Sequence, residues 1–166
     1  LLVRPLPGVG DAAAHLRDSG LADVVRERVA EGVPFLGICL GMQLLADVGL
    51  EDGQWEGLGV VPGTCERLPA GVKVPHIGWN TVAYPRESRL FAGVPENTAF
   101  YFVHSYHLVP ADPSAIIGVA NYGVDFAAAV ERGGAYAVQF HPEKSSAAGL
   151  RLLGNFGGIV KEGSTR

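Results

Sequence analysis

Residues 34–45 read PFLGICLGMQLL, an apolar run interrupted by a single cysteine, Cys39, set between Gly37 and Gly41. Val33 to Ile38 has the unbroken apolar character of a strand buried on both faces, and Met42 to Val48 resumes helical spacing. Between them, Gly37-Ile38-Cys39-Leu40-Gly41 is a glycine-x-nucleophile-x-glycine pattern at a strand-to-helix turn. Such an elbow holds its nucleophile in a strained, exposed backbone conformation, and glycine at both flanks avoids collision with neighbouring chain. A helix N-terminus directly after the cysteine favours the thiolate. The competing reading is a core cysteine, because free cysteine is among the most buried residue types.

Upstream, Leu1 to Val3 reads as the close of a strand, PLPGVG as a turn, and Asp11 as the cap of a helix through AAAHLR. Leu21, Val24, Val25 and Val29 lie on one face of a second helix that stops at Gly32. Helix, buried strand, helix is the rhythm of a parallel sheet covered on both sides. Downstream, from Gly53 to Val109, short apolar runs (LGVV, VAY, AFYFVHSYHLV) divided by Gly and Pro predict antiparallel strands and loops added to that sheet. AIIGVANY, FAAAVERGG and AYAVQFHPE predict three more strands in a meander, and Gly149 to Val160 a closing helix with Leu150, Leu153 and Phe156 spaced for one face.

With 166 residues, 48% hydrophobic and 18% charged, the chain suits one globular domain spanning 1–166. A net charge of -4 without a basic block argues against nucleic acid or a membrane as partner. The longest apolar stretch, Val33 to Met42, is too short to span a bilayer, and the first residues carry no signal-like segment, so the expected location is cytoplasmic. Cys39 and Cys65 are expected to stay reduced. The first residue is Leu1 rather than Met, which suggests a fragment or trimmed chain.

QFHPEKS, Gln139 to Ser145, follows the apolar strand AYAVQF. His141 and Glu143 flank Pro142, and alternate residues of an extended segment project to one side, so a carboxylate can orient an imidazole. A base with its own orienting acid completes the logic of a nucleophilic triad with Cys39. On its own the motif is equally a surface turn; the two motifs together favour catalysis. Attack on a carbonyl also needs backbone donors for the oxyanion. The N–H of Leu40 is one candidate, and the glycine loop Gly8-Val9-Gly10 offers others.

The elbow GICLGMQ with FHPEKS resembles a class I, triad-type glutamine amidotransferase. PHIGWN (Pro75 to Asn80), YFVHSYH (Tyr101 to His107) and GLRLLGNF (Gly149 to Phe156) narrow the resemblance to the glutaminase subunits of imidazole glycerol phosphate synthase, of histidine biosynthesis. The resemblance covers the chain from about Pro7 onward, and several motifs in order are highly specific. It implies an α/β, flavodoxin-like fold with a mostly parallel central sheet flanked by helices, plus additional antiparallel strands. The family's opening strand-helix-strand unit, about 30 residues, is expected to be missing before PGVG. The VRPL before the loop and the DAAAHL directly after Gly10 also depart from the family pattern, and both touch the oxyanion loop.

The resemblance further implies glutamine hydrolysis through a thioester on Cys39, with His141 as acid and base and Glu143 orienting it. Gln43, Glu51 and the His104-Ser105-Tyr106 segment would hold glutamine. Their bland readings are an exposed helix residue for Gln43, a solvated charge for Glu51 and packing for Tyr106. Ammonia would pass to a (β/α)8-barrel cyclase partner in a heterodimer. The PHIGWN segment, read as a loop, supplies the interface candidates Pro75, His76, Trp79 and Asn80, with Trp79 as an apolar anchor unless it covers the domain's own core. No cofactor is expected and no metal, since neither the cysteine spacing nor His/Cys clustering fits a zinc site. Cys65 reads as incidental. Three alternatives stay open: the glutaminase of another amidotransferase, distinguished by which synthase co-purifies; a catalytically silent docking module, whose Cys39 a glutamine-like electrophile would not label; and a free-standing cysteine hydrolase, active without a partner.

Overall fold

The computed structural model describes residues 8–163, so the strand reading at Leu1 to Val3 lies outside the described residues. The described residues begin with helices α1 (Val9–Asp18) and α2 (Leu21–Ala30), then strand β1 (Phe35–Ile38) and a single turn of helix, α3 (Leu40–Gln43). Strands β2 (Val48–Gly49), β3 (Trp55–Glu56), β4 (Gly63–Arg67), β5 (His76–Val82), β6 (Thr98–His104) and β7 (Tyr106–Pro110) follow. Strands β8 (Ile116–Asn121), β9 (Asp125–Arg132) and β10 (Ala135–Val138) precede the closing helix α4 (Ser146–Gly163).

Among the described residues the strands form three sheets, in the orders β1-β10-β9-β8, β3-β2-β4-β7 and β5-β6. The α/β class is as expected, but parallel pairing is confined to β1 with β10 and β2 with β4 among the described strands. A parallel neighbour needs a long crossover, usually a helix. From β5 onward the strands are joined by turns and 3₁₀ segments, so they pair antiparallel: β5 with β6, β4 with β7, and the β8-β9-β10 meander.

Alternation along β10 divides the core. Ala137 faces a cluster built from α1, α3 and the second sheet, with Val9, Met42, Leu45, Trp55 and Cys65. Tyr136 and Val138 face an aromatic cluster of Phe91, Phe100, Phe102, Phe126 and Phe140, closed by Leu152 and Ile159 of α4. Cys65 is wholly buried, and burial pushes its thiol up to about 12.

Four readings of helix shift. Asp11 is not the cap of α1: Gly8 is, and Asp11 stands in the first turn, where a carboxylate suits the helix dipole. On α2 the buried residue is Ala22, while Leu21 and Val24 are exposed, because Arg26 turns inward and its guanidinium donates to the carbonyls of Gly57 and Leu58. On α4 the buried positions are Gly149, Leu152 and Ile159, with Leu150 exposed. A side chain at Gly149 would collide with the Pro142 carbonyl, so that glycine sets which face of α4 lies against the loop at 141–145. The helix expected over Met42 to Val48 stops after one turn: the carbonyls of Leu44, Leu45 and Ala46 accept from Leu58, Val61 and Gly59 instead of continuing it.

Candidate active site

Hydrogen bonding of β1 to β10 continues one step past β1, from the Cys39 N–H to the Val138 carbonyl at 2.8 Å. Cys39 and the Gln139–His141 segment therefore leave neighbouring parallel strands at the same end, where open α/β sheets place their active sites. Cys39 has φ 50° and ψ -103°, a conformation that an L-residue with a side chain adopts only under strain. The elbow is real, and Gly37 is its steric key: a Cβ there would lie 2.7 Å from the Gly41 carbonyl oxygen. Gly41 is not needed for that reason, since a Cβ there would meet nothing within 4 Å. The helix after the cysteine is a single four-residue turn, so its dipole is a small influence on the thiol.

The thiol is set between a carbonyl and an amide. Cys39 Sγ donates to the Val103 carbonyl at 3.6 Å and accepts from Gln139 Nε2 at 3.7 Å. It makes no hydrogen bond to His141 in this state. Burial raises the thiol above its ordinary value, with the Glu143 charge adding to the rise; the Leu40 backbone N–H, the Gln139 amide and the Lys144 charge oppose it.

His141 is held from several sides. Its backbone N–H donates to the Tyr101 carbonyl at 2.8 Å, and its Nδ1 bonds Glu143 Oε1 at 2.7 Å. Ser145, 1% exposed, donates from Oγ to the His141 carbonyl and accepts from the Tyr101 N–H, which staples the loop to β6. With Nδ1 engaged by a carboxylate, Nε2 is the nitrogen left for proton transfer. Cys39 and His141 both bond carbonyls of β6, at Val103 and Tyr101, two residues apart on one strand edge.

The glycine loop and Glu51 meet. Gly8 caps α1, Val9 and Gly10 begin it, and the Val9 N–H donates to Glu51 Oε2 at 2.6 Å. Two residues read separately from sequence, one as oxyanion donor and one as substrate ligand, are bonded to each other. They border a cavity of about 480 Å³ lined by Asp11, Glu51, Asp52, Gln54 and Trp55, an acidic cleft suited to an ammonium group. A larger concavity of about 880 Å³, lined by Tyr84, Arg86, Arg89 and Glu96, contains none of the candidate site residues.

Gln43 is 5% exposed, not an exposed helix residue; its Nε2 donates to the Tyr106 carbonyl at 2.8 Å and to Gln139 Oε1 at 3.2 Å. His104 is also buried, and both its ring nitrogens are used inside the protein: Nδ1 on the Tyr106 carbonyl at 2.9 Å and Nε2 on His76 Nδ1 at 3.0 Å. It has no ring nitrogen to spare for a substrate. Burial pulls its pKa down to about 4, so it is neutral, and the carbonyl fixes the hydrogen on Nδ1. Ser105 lies between β6 and β7, and its carbonyl accepts from the Leu68 N–H. Tyr106 is half-buried.

PHIGWN is no loop: from His76 on it lies in strand β5. His76 is 4% exposed and stacked between Tyr122 and Phe102, so it is no surface residue. Asn80 donates to the Asn121 carbonyl and accepts from the Thr81 N–H. Pro75 is exposed, and Ile77 and Trp79, on the opposite face of the strand from His76, are 59% and 53% exposed. Trp79 therefore does not cover the domain's own core.

Gln139 is the site residue missed from sequence. Its signal was present: a polar residue inside the apolar run AYAVQF must find partners if that run is buried. Among the described residues no group of three or more His, Cys, Asp or Glu is arranged to hold a metal ion, and no helix is long and apolar enough to cross a membrane.

The sequence pattern of the family described as "Glutamine amidotransferase class-I" matches residues 6–157. The chain is 53% identical over 159 residues to the imidazole glycerol phosphate synthase subunit HisH of Moorella thermoacetica, a match covering 94% of this chain and 76% of that relative. It is 47% identical over 154 residues to the HisH subunit of Aquifex aeolicus, covering 91% and 74%. A crystal structure described as a glutamine amidotransferase superposes with TM-score 0.64 at 23% identity, over 90% of this chain and 75% of that one. Another, a glutamine amidotransferase from Thermotoga maritima, superposes with TM-score 0.63 at 20% identity, over 100% and 70%. These two structures bear on the fold alone.

Proposed function

The chain belongs to the class-I glutamine amidotransferase family, among the glutaminase subunits of imidazole glycerol phosphate synthase in histidine biosynthesis, and we propose that Cys39, His141 and Glu143 carry its glutamine hydrolysis. The observation that supports this assignment is the shared edge of β6: the strained cysteine and the carboxylate-held histidine are both bonded to it, at carbonyls two residues apart.

In the proposed reaction the thiol leaves the Val103 carbonyl and gives its proton to His141 Nε2. The sulfur attacks the side-chain amide carbon of glutamine. The oxygen becomes an oxyanion, met by the Leu40 N–H and, once Glu51 releases it, by the Val9 N–H in the Gly8-Val9-Gly10 segment. Collapse breaks the C–N bond, and the imidazolium returns its proton to the departing ammonia. His141 then takes a proton from water, which cleaves the thioester to give glutamate and restores the thiol. Glu143 keeps the imidazole tautomer and offsets its charge in each half. The acidic wall of Glu51 and Asp52 suits the α-ammonium of glutamine, and the Gln43 oxygen and Tyr106 are its other proposed contacts, with Ser105 and His104 shaping that segment from behind.

Ammonia protonated in water is no nucleophile, so transfer within a complex follows. The proposed partner is a (β/α)8-barrel cyclase in a cytoplasmic heterodimer, docked on the outward face of β5 at Ile77 and Trp79, with Pro75 and Asn80 at its border. A second reading, a silent docking module, draws on the thiol's bond to a carbonyl and the Val9 N–H already held by Glu51. One experiment separates them. A diazoketone analogue of glutamine, with the barrel bound, should label Cys39, and Cys39→Ala should lose glutamine-dependent synthesis yet keep synthesis from added ammonia. Unlabelled Cys39, or glutamine hydrolysis surviving in Cys39→Ala, overturns the glutaminase assignment of these residues.

A further inference from the structure

We propose that Gln139 is a positioning residue for the Cys39 sulfur, an oriented amide donor that holds the thiolate in place and that Gln43 locks in the productive orientation. The inference rests on the reading of Cys39 as nucleophile but concerns a residue outside the triad.

Amide oxygen and nitrogen are alike in shape, so which end of Gln139 faces the sulfur has to be argued from its partners. The Tyr106 backbone carbonyl only accepts, so the Gln43 atom 2.8 Å from it is the nitrogen. That nitrogen carries a second hydrogen, which goes to the Gln139 amide at 3.2 Å, so the Gln139 atom receiving it is the oxygen. The remaining end of Gln139, 3.7 Å from Cys39 Sγ, is therefore the N–H₂ donor. Each assignment forces the next, and His104 Nδ1, 2.9 Å from the same carbonyl, reinforces the first.

The environment gives this donor weight. Gln139 is completely buried and its backbone N–H is pinned to the Ala128 carbonyl of β9 at 2.8 Å, so the side chain has little freedom. The other group bonded to the sulfur is the Val103 carbonyl, whose negative end favours the thiol and repels the thiolate. When the proton leaves, the amide is a donor already in place against that repulsion, and no solvent need reorganise to supply one. A polar side chain this buried is costly unless its bonds are made, and these bonds end on the sulfur.

The test reads the thiol directly. Rates of Cys39 alkylation by iodoacetamide, followed on the Cys39 peptide across pH in the full chain, give the thiol's titration midpoint. Cys65, wholly buried, stays unlabelled. Gln139→Leu should raise the midpoint by about one pH unit, cutting the rate near pH 7.5 about tenfold. Gln139→Glu keeps the volume and the bond from Gln43 but turns an acceptor to the sulfur, and should raise the midpoint further; it serves where the leucine variant does not fold. Gln43→Leu, which unlocks the amide, should give a smaller shift in the same direction. A role in packing alone would lower the melting temperature and leave the midpoint unmoved, and that result in either Gln139 variant overturns the proposal. The readout needs no glutamine, so it stands apart from the Cys39→Ala synthesis assay, in which only the glutaminase assignment can fail.

Discussion

Cys39 bears a cost that a merely structural cysteine would not, a backbone at φ 50°, ψ -103°. Strain of this kind is worth about 1–3 kcal/mol and persists only where surrounding structure enforces it. Glycine adopts that conformation freely, whereas alanine does not. Cys39→Gly should accordingly melt several degrees above Cys39→Ala, both being inactive; equal melting temperatures in a calorimeter would mean that the elbow is unstrained. Glu143 makes a different prediction. Its side chain is 48% exposed, so its field at His141 is screened by water and its main service is to fix the tautomer. Glu143→Gln should slow ammonia release between about tenfold and a hundredfold, well short of the loss in His141→Ala, as steady-state kinetics would show.

Among the secondary-structure elements, the elbow was legible because its constraint is local: glycine at 37 next to a turn around Cys39. The physics behind it is asymmetric, which the symmetric motif hid. Gly37→Ala should destabilise by about 2 kcal/mol or more, because a Cβ would press on backbone at 2.7 Å, while Gly41→Ala should be within about 0.5 kcal/mol of the parent. Denaturant midpoints for the pair check this. The β8-β9-β10 meander was equally legible from short apolar runs separated by glycine turns. What periodicity could not show was the end of α3, where loop residues 57–61 take the helix's carbonyls, or the inward Arg26 that exposes Leu21 and Val24. Both depend on partners dozens of positions away. The histidines of β5, β6 and β7 were visible as letters but not as a buried set. Burial lowers the pKa of His104 to about 4 and also lowers those of His76 and His107. Between about pH 6.5 and pH 4 the unfolded chain therefore binds more protons than the folded one. Stability is intact above pH 6.5 and falls as pH drops through that window, by roughly 3 kcal/mol from His104 alone. His104→Phe should flatten part of that slope in urea titrations at several pH values; an unchanged slope would place the acid sensitivity elsewhere.

Strand β6 ties the candidate chemistry to the exposed surface of the molecule. One edge of β6 receives Cys39 and His141, and the other pairs residue by residue with β5, His76 opposite His104 and Trp79 opposite Tyr101. Strand alternation sends His76 inward, into the hydrogen-bonded series that ends at the sulfur, and sends Ile77 and Trp79 out. The sequence motif around Trp79 announced a surface of interest, yet read as a loop it offered His76 and Trp79 alike to the partner. The pleat separates their jobs, and so should mutation. His76→Ala removes a ring packed 3.9 Å from that of Tyr122 and should lower the melting temperature. Trp79→Ala removes only outward apolar area, braced at 5.8 Å by Tyr101, and should leave the melting temperature unchanged while weakening the barrel complex tenfold or more, about 1.4 kcal/mol. Titration of the two purified subunits reads the second effect. An unaltered complex in Trp79→Ala would move the docking face away from β5.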